Sequence, residues 1–173
     1  MIYTSTTTLE CGTAFIAVTE HGLCGLYFID DAHSEAQLKQ RIAKNLGASM
    51  DDIQDNADMT APYIAGLTQF WQNGIWPDHL KLDLHGTPFQ KTIWAQLLQV
   101  KTGQTCSYSE LAANAGNAKA VRAAASAVAN NPISLIVPCH RILPKSGGVG
   151  KYLWGSAMKR DLLHHEEMIT KAA

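Results

Sequence analysis

Between Asn131 and Ile142 the chain reads Asn-Pro-Ile-Ser-Leu-Ile-Val-Pro-Cys-His-Arg-Ile, and no other stretch restricts the possible fold as much. An apolar run is bounded by two prolines, neither of which can donate a ladder hydrogen bond. It reads as a buried strand that ends at Pro138 and delivers a thiol, an imidazole and a guanidinium to its end. Free cysteine has a pKa near ~8.5, which a neighbouring His or Arg lowers by one to several units. A lone buried cysteine is usually inert packing. Cys139-His140-Arg141 behind an Asn-Pro break points instead to a reactive thiol.

Around this stretch the chain divides in two. Residues Met1 to Thr8 are β-rich. Thr13–Thr19 and Leu23–Ile29 flank the turn Glu20-His21-Gly22 and form a hairpin. Ser34 caps a helix to about Leu46, with Leu38, Ile42 and Leu46 on one face. Asp51–Asp58 reads as an acidic loop, Pro62–Trp71 as a helix and Lys81–Leu84 as a further strand. Gly86-Thr87-Pro88 is punctuation, and it separates a domain of residues 1–85 from one of residues 86–173. The second half is mainly helical: Pro88–Gln99, a short helix capped by Ser107 or Ser109 and ending at Gly116, then Ala120–Ala129. The last two, joined at Asn117-Ala118-Lys119, form a helix-turn-helix pattern.

Charge separates along the same line. Residues 1–85 hold four Lys or Arg and eleven Asp or Glu, whereas residues 86–173 hold ten and four. The basic half suits an acidic partner. Its second helix is nearly all alanine and serine, with Arg122 as the one long side chain. A major-groove reader needs long polar side chains. A bare helix instead fits closely against a backbone or a narrow groove, and Arg122 could enter a base stack as a wedge. No apolar run approaches a membrane span, and no leader is recognisable, so a cytoplasmic protein is expected. Cys11, Cys24, Cys106 and Cys139 form no C-x-x-C pair. Cys11, Cys24, His21, His33 and His85 make no convincing four-ligand set, so no metal and no cofactor are expected.

The chemistry gathers at Cys139. His140 could take the thiol proton through a water, and a base needs an orienting partner. The helix Ala157–Met168 could bring Glu166 over the site. Ser146-Gly147-Gly148-Val149-Gly150-Lys151-Tyr152 lets backbone lie against a flat ligand with Tyr152 as a wall, and it lacks the frame of a phosphate-binding loop.

On these residues the chain resembles the methylated-DNA–protein cysteine methyltransferases, also called O6-alkylguanine-DNA alkyltransferases. The resemblance runs from about Gly86 to Glu167. It is carried by Gly-Thr-Pro-Phe-Gln, Ser-Tyr-Ser-Glu-Leu-Ala, Ala-Val-Arg-Ala, Asn-Pro, Pro-Cys-His-Arg, Gly-Lys-Tyr and Leu-Leu-His-His-Glu, in that order. It implies an α/β fold: an N-terminal ribonuclease-H-like domain with a small sheet, then a mainly helical domain with a winged-helix-like helix-turn-helix. The activity implied is a single, irreversible transfer of an alkyl group from O6-alkylguanine, and from O4-methylthymine, to a cysteine of the protein itself. Cys139 would be the acceptor, His140 its base through water, and Glu166 the orienter of His140. Asn131 would hold the active-site turn, and Tyr108 would donate to the departing guanine. Arg122 would fill the space of the flipped base, and Ser109 and Asn117 would touch DNA backbone. In the substrate pocket, backbone atoms of Cys139 and Ile142 would read the guanine edge and Tyr152 would form a wall, with Leu153 and Trp154 beside it. The implied partner is double-stranded DNA with an alkylated base, bound through its minor groove by a monomer, nucleoid-associated when on DNA.

Leu153-Trp154 depart from the small residues that many relatives carry after the pocket tyrosine, which bears on large adducts. Three other readings compete. A non-catalytic sensor of alkylated DNA would not need Cys139. A cysteine hydrolase would turn over and would have no use for a bare helix with Arg122. A plain helix-turn-helix regulator would tolerate loss of Cys139.

Overall fold

A computed structural model describes residues 1–173, in two compact units, Met1–His85 and Gly86–Ala173. The architecture is mixed α/β: one small sheet plus helices.

In the first unit, β1 (Ile2–Leu9), β2 (Gly12–Thr19) and β3 (Gly22–Phe28) form an antiparallel meander. Ala14–Val18 and the whole of β3 are buried, a continuous burial that needs cover on both sheet faces. Helix α1 (Glu35–Leu46) packs on β2 and β3. It starts where expected, in a capping box between Ser34 and Gln37. Gly25 lets it sit close, because a Cβ there would lie 2.2 Å from Ile42 Cδ1.

Three expectations for this unit are corrected. Residues 51–58 are not a loop. Ile53–Asp55 form β4, which pairs in parallel with β1 and gives the sheet order β3-β2-β1-β4. Thr4 holds this short edge, its Oγ1 donating to Asp55 Oδ1 at 2.6 Å. Helix α2 then runs over Ala57–Asn73, five residues earlier than Pro62 suggests. Asn56 caps it, so Pro62 falls in the second turn and costs the helix one N–H donor. Lys81–Leu84 adds only a single bridge between Leu82 and Leu23, not a strand.

The second unit begins with α3 (Pro88–Leu97), which has Thr87 and Gln90 in a capping box and proline at its first position. β5 (Cys106–Ser107) leads into α4 (Tyr108–Asn114), whose cap is Ser107 rather than Ser109. Helix α5 (Val121–Ala129) follows and packs on both α3 and α4. Trp94 of α3 fixes that packing by donating its indole N–H to Ala127 O at 2.9 Å. β6 (Ile142–Leu143) pairs in parallel with β5, and α6 (Ser156–Ala172) closes the chain. No helix is long and apolar enough to cross a membrane.

The run 133–137 is fully buried but is not a strand. It satisfies its main chain locally instead. Ile133 N donates to Asn131 Oδ1, Val137 N to Ile133 O and Cys139 N to Val137 O. Leu135, at φ 69, is the one non-glycine residue in the left-handed region. With proline at both ends, the segment folds on itself rather than offering a ladder edge.

Candidate active site

Cys139 opens a single 3-10 turn, Cys139–Arg141, directly after Pro138. The residue is 7% exposed. Asn131 ties it down: Nδ2 donates to Cys139 Sγ at 3.1 Å and to Val137 O at 2.6 Å, while Oδ1 accepts from Ile133 N. One amide thus holds both the turn and the sulfur. Burial pushes the Cys139 thiol up, and hydrogen bonds from Asn131 and Tyr152 and the charge of Lys159 only partly offset this. The resting group is therefore the thiol. Arg141, next in sequence but one, is not among the groups acting on it.

The next two residues, His140 and Arg141, belong to a buried polar cluster with Glu166. His140 is 1% exposed, and its Nε2 meets Glu166 Oε1 at 2.6 Å. Its Nδ1 is buried and has no partner in the protein. Arg141 Nε donates to both oxygens of Glu166, at 3.1 and 2.9 Å, and Nη2 donates to Oε1 at 2.8 Å. Burial pushes the Glu166 carboxyl up, but the hydrogen bonds and charges of His140 and Arg141 outweigh it and hold it at about 2. Burial lowers His140 against the pull of Glu166, with Arg141 and Lys159 adding to the lowering. The pair therefore rests as carboxylate and neutral imidazole. Nε2 carries the hydrogen given to Glu166, which leaves Nδ1 as the basic nitrogen.

A cavity of about 370 Å³ opens at Cys139. Of the residues singled out from the sequence, it gathers Tyr108, Asn131, Cys139, Tyr152, Leu153 and Trp154. Tyr108 is the first residue of α4, where Ser107's cap sets its position. Burial, then the Cys139 charge, pushes its phenol up, so it stays protonated and able to donate. Trp154 is a fixed wall, because its Nε1 donates to buried Ser134 Oγ at 2.9 Å. Leu153 is 39% exposed at the rim. Lys151 and Ala125 also line the space.

The Ile142 side chain is fully buried outside the cavity, and its carbonyl accepts from Lys159 Nζ at 2.6 Å. Pairing of β6 with β5 turns it into the core. Arg122, in the first turn of α5, and Asn117, in the α4–α5 connection, are exposed, and Ser109 is half-buried; none lines the cavity. Sequence reasoning missed Lys159, a buried ammonium that bridges the carbonyls of Ile142 and Lys151. The one available signal was a lysine at the start of a helix already suspected of returning to the site.

Comparison with known proteins agrees with this geometry. The family model for the DNA-binding domain of 6-O-methylguanine DNA methyltransferase matches residues 88–168. The chain is 37% identical over 160 residues to the bifunctional transcriptional activator/DNA repair enzyme Ada of Escherichia coli, covering 91% of this chain but 43% of that protein. It is 33% identical over 161 residues to the methylated-DNA–protein-cysteine methyltransferase of Cricetulus griseus, covering 88% of this chain and 76% of that one. Among solved structures, Mycobacterium tuberculosis OGT in complex with DNA superposes with a TM-score of 0.79 at 27% identity, over 96% of this chain and 94% of that one. With its buried Cys-His-Glu cluster and these relatives, the chain belongs to the methylated-DNA–protein-cysteine methyltransferase family.

Proposed function

We propose that this chain repairs alkylated double-stranded DNA by moving the alkyl group from O6 of guanine, or O4 of thymine, onto Cys139, once per molecule. One observation carries the reading: a buried thiol on the wall of a cavity of about 370 Å³, followed in sequence by a buried imidazole that is paired with Glu166 through Nε2 and has a free Nδ1. The adduct is out of reach within a duplex, so the base must flip, at a cost of a few kcal/mol. Helix α5 presents Arg122, Ala123, Ser126 and Ala129 outward, a low surface that suits the minor groove, with Arg122 as the wedge. Ser109 and Asn117 would meet the DNA backbone.

In the pocket, His140 Nδ1 takes the thiol proton through one water and becomes imidazolium against Glu166. The sulfur then attacks the alkyl carbon in line. The S–C bond forms, the C–O bond breaks, and its electron pair passes to the guanine. Tyr108 O–H donates to the departing base, and the proton on His140 makes good the loss, so the thiol proton ends on guanine overall. The thioether offers no low-barrier exit, so the protein does not turn over. All these groups come from one chain, which supports a monomer as the acting unit. The meander with β4 added parallel to β1 supports a ribonuclease-H-like first unit, and α4–α5 with the β5–β6 pair supports a winged-helix-like second.

The test is intact and peptide mass after mixing excess protein with a duplex holding one O6-methylguanine. One added methyl on the Cys139 peptide, with equal loss of adduct, is the expected result. Tight binding with the adduct intact would mean a sensor, and repeated turnover would mean a hydrolase. Cys139→Ala should bind the duplex and transfer nothing.

A further inference from the structure

The cluster of His140, Arg141 and Glu166 contains more than a relay needs. A carboxylate that only orients His140 requires one hydrogen bond. Glu166 instead accepts from His140 and Arg141 on Oε1, and from Arg141 and Gly103 N on Oε2. Arg141 is 5% exposed and reaches a second segment as well, donating to Val100 O and to Thr102 Oγ1 between α3 and β5. A buried carboxylate left alone beside an imidazole would draw a proton onto it, and an imidazolium cannot serve as a base. With the guanidinium laid along both oxygens, the two full charges cancel. What then remains for His140 is burial, which favours the neutral ring.

We propose that Arg141 is a positioning residue for the transfer reaction: by gripping Glu166 through Nε and Nη2 it neutralises the carboxylate and aims one oxygen at His140 Nε2–H, keeping the imidazole neutral with Nδ1 as the basic nitrogen. The link to transfer rests on the reading of function above, but the effect on His140 is intrinsic to the folded protein. The charged groups facing His140 are Glu166 and Lys159 from α6 and Arg141 from its own turn. Lys159 repels a proton on His140 as Arg141 does, but its Nζ is committed to two carbonyls and cannot replace the grip on Glu166.

The experiment is an NMR titration of the His140 ring in the intact protein and in R141Q and R141K. Single-turnover methyl transfer from an O6-methylguanine duplex is followed across the same pH range. In the unaltered protein the His140 midpoint should lie below 6.5. In R141Q it should rise by about one unit or more, and transfer near pH 6 should fall about tenfold relative to pH 8. R141K keeps the charge but loses the fork, and should raise the midpoint by less than R141Q does while lowering thermal stability. An unmoved midpoint in R141Q, with transfer reduced by one factor at every pH, would make Arg141 scaffolding and overturn the proposal. If R141Q does not fold, R141K decides: a midpoint that rises supports the proposal, and one that stays overturns it. If the unaltered protein transfers no methyl, the functional reading falls, and the NMR midpoints still decide the role of Arg141.

Discussion

Asn131 shows how much one side chain can hold. Its amide serves Val137 O, Cys139 Sγ and Ile133 N, all buried. Asn131→Ala leaves the buried Ile133 N–H without its acceptor, while Val137 O keeps Cys139 N, so a loss of about 1–3 kcal/mol is expected in urea unfolding. The same variant should raise the Cys139 thiol pKa further, read as slower iodoacetamide alkylation at fixed pH, since the lost bond lowers it. A thiol of unchanged reactivity would refute that link. Glu166 and His140 set the acid response. Glu166 is held at about 2 against an ordinary 4.5, so its contribution is whole above 4.5 and is lost as pH falls through about 2. His140 is held below its ordinary 6.5, so from there downward the unfolded chain binds protons more readily. Both slopes have one sign: the urea midpoint should fall as pH drops below about 6.5, and faster below about 4.5. A flat profile down to pH 4 would contradict the neutral His140. Cys139, His140 and Glu166 were legible because nucleophile, base and acid are chemically conspicuous letters. Lys159 was not, because its partners are main-chain carbonyls that any residue could supply. Arg141 was read as an activator of the neighbouring thiol, whereas its partner lies 25 residues away in α6.

At the scale of elements, capping chemistry was the most readable signal. Ser34 with Gln37, and Ser107 with Glu110, form the boxes that start α1 and α4. Ser107→Ala should cost about 1 kcal/mol. Because Tyr108 is the first residue of α4, it should also slow transfer from duplex, which a surface cap elsewhere, such as Ser34→Ala, should not. Arg122→Ala tests α5: transfer from duplex should fall far more than transfer from a free-base substrate. Equal losses would remove the wedge. Gly25→Ala, with its Cβ driven against Ile42, should cost about 1–3 kcal/mol, measured by thermal unfolding. Two elements were hidden from the sequence. β4 is three residues, Ile53-Gln54-Asp55, too short for any period to register, and its pairing depends on β1 fifty residues earlier. The run 133–137 has the letters of a buried strand, but both prolines and the Asn131 side chain supply a local solution that periodicity does not weigh.

Across the whole molecule, a formal charge of −1 conceals a division into an acidic unit and a basic one. The mixed α/β class was legible because strand and helix patterns share the first half and helix patterns fill the second. The parallel additions, β4 on β1 and β6 on β5, were not, since they join distant residues. If the basic unit makes the contacts, duplex affinity should fall at least tenfold between about 50 and 200 mM salt, despite a pI near 6.6. Affinity independent of salt would place the contact elsewhere.

The bare surface of α5 has an entropic consequence. Alanine has no rotamers to freeze, and serine few, whereas a long polar side chain surrenders up to about 2 kcal/mol when immobilised. Whatever comes to rest on Ala123, Ser126 and Ala129 therefore does so almost without conformational loss. On that outer face the ordering penalty is concentrated in one side chain, Arg122, so the helix behaves as a pre-stiffened ridge with a single flexible probe.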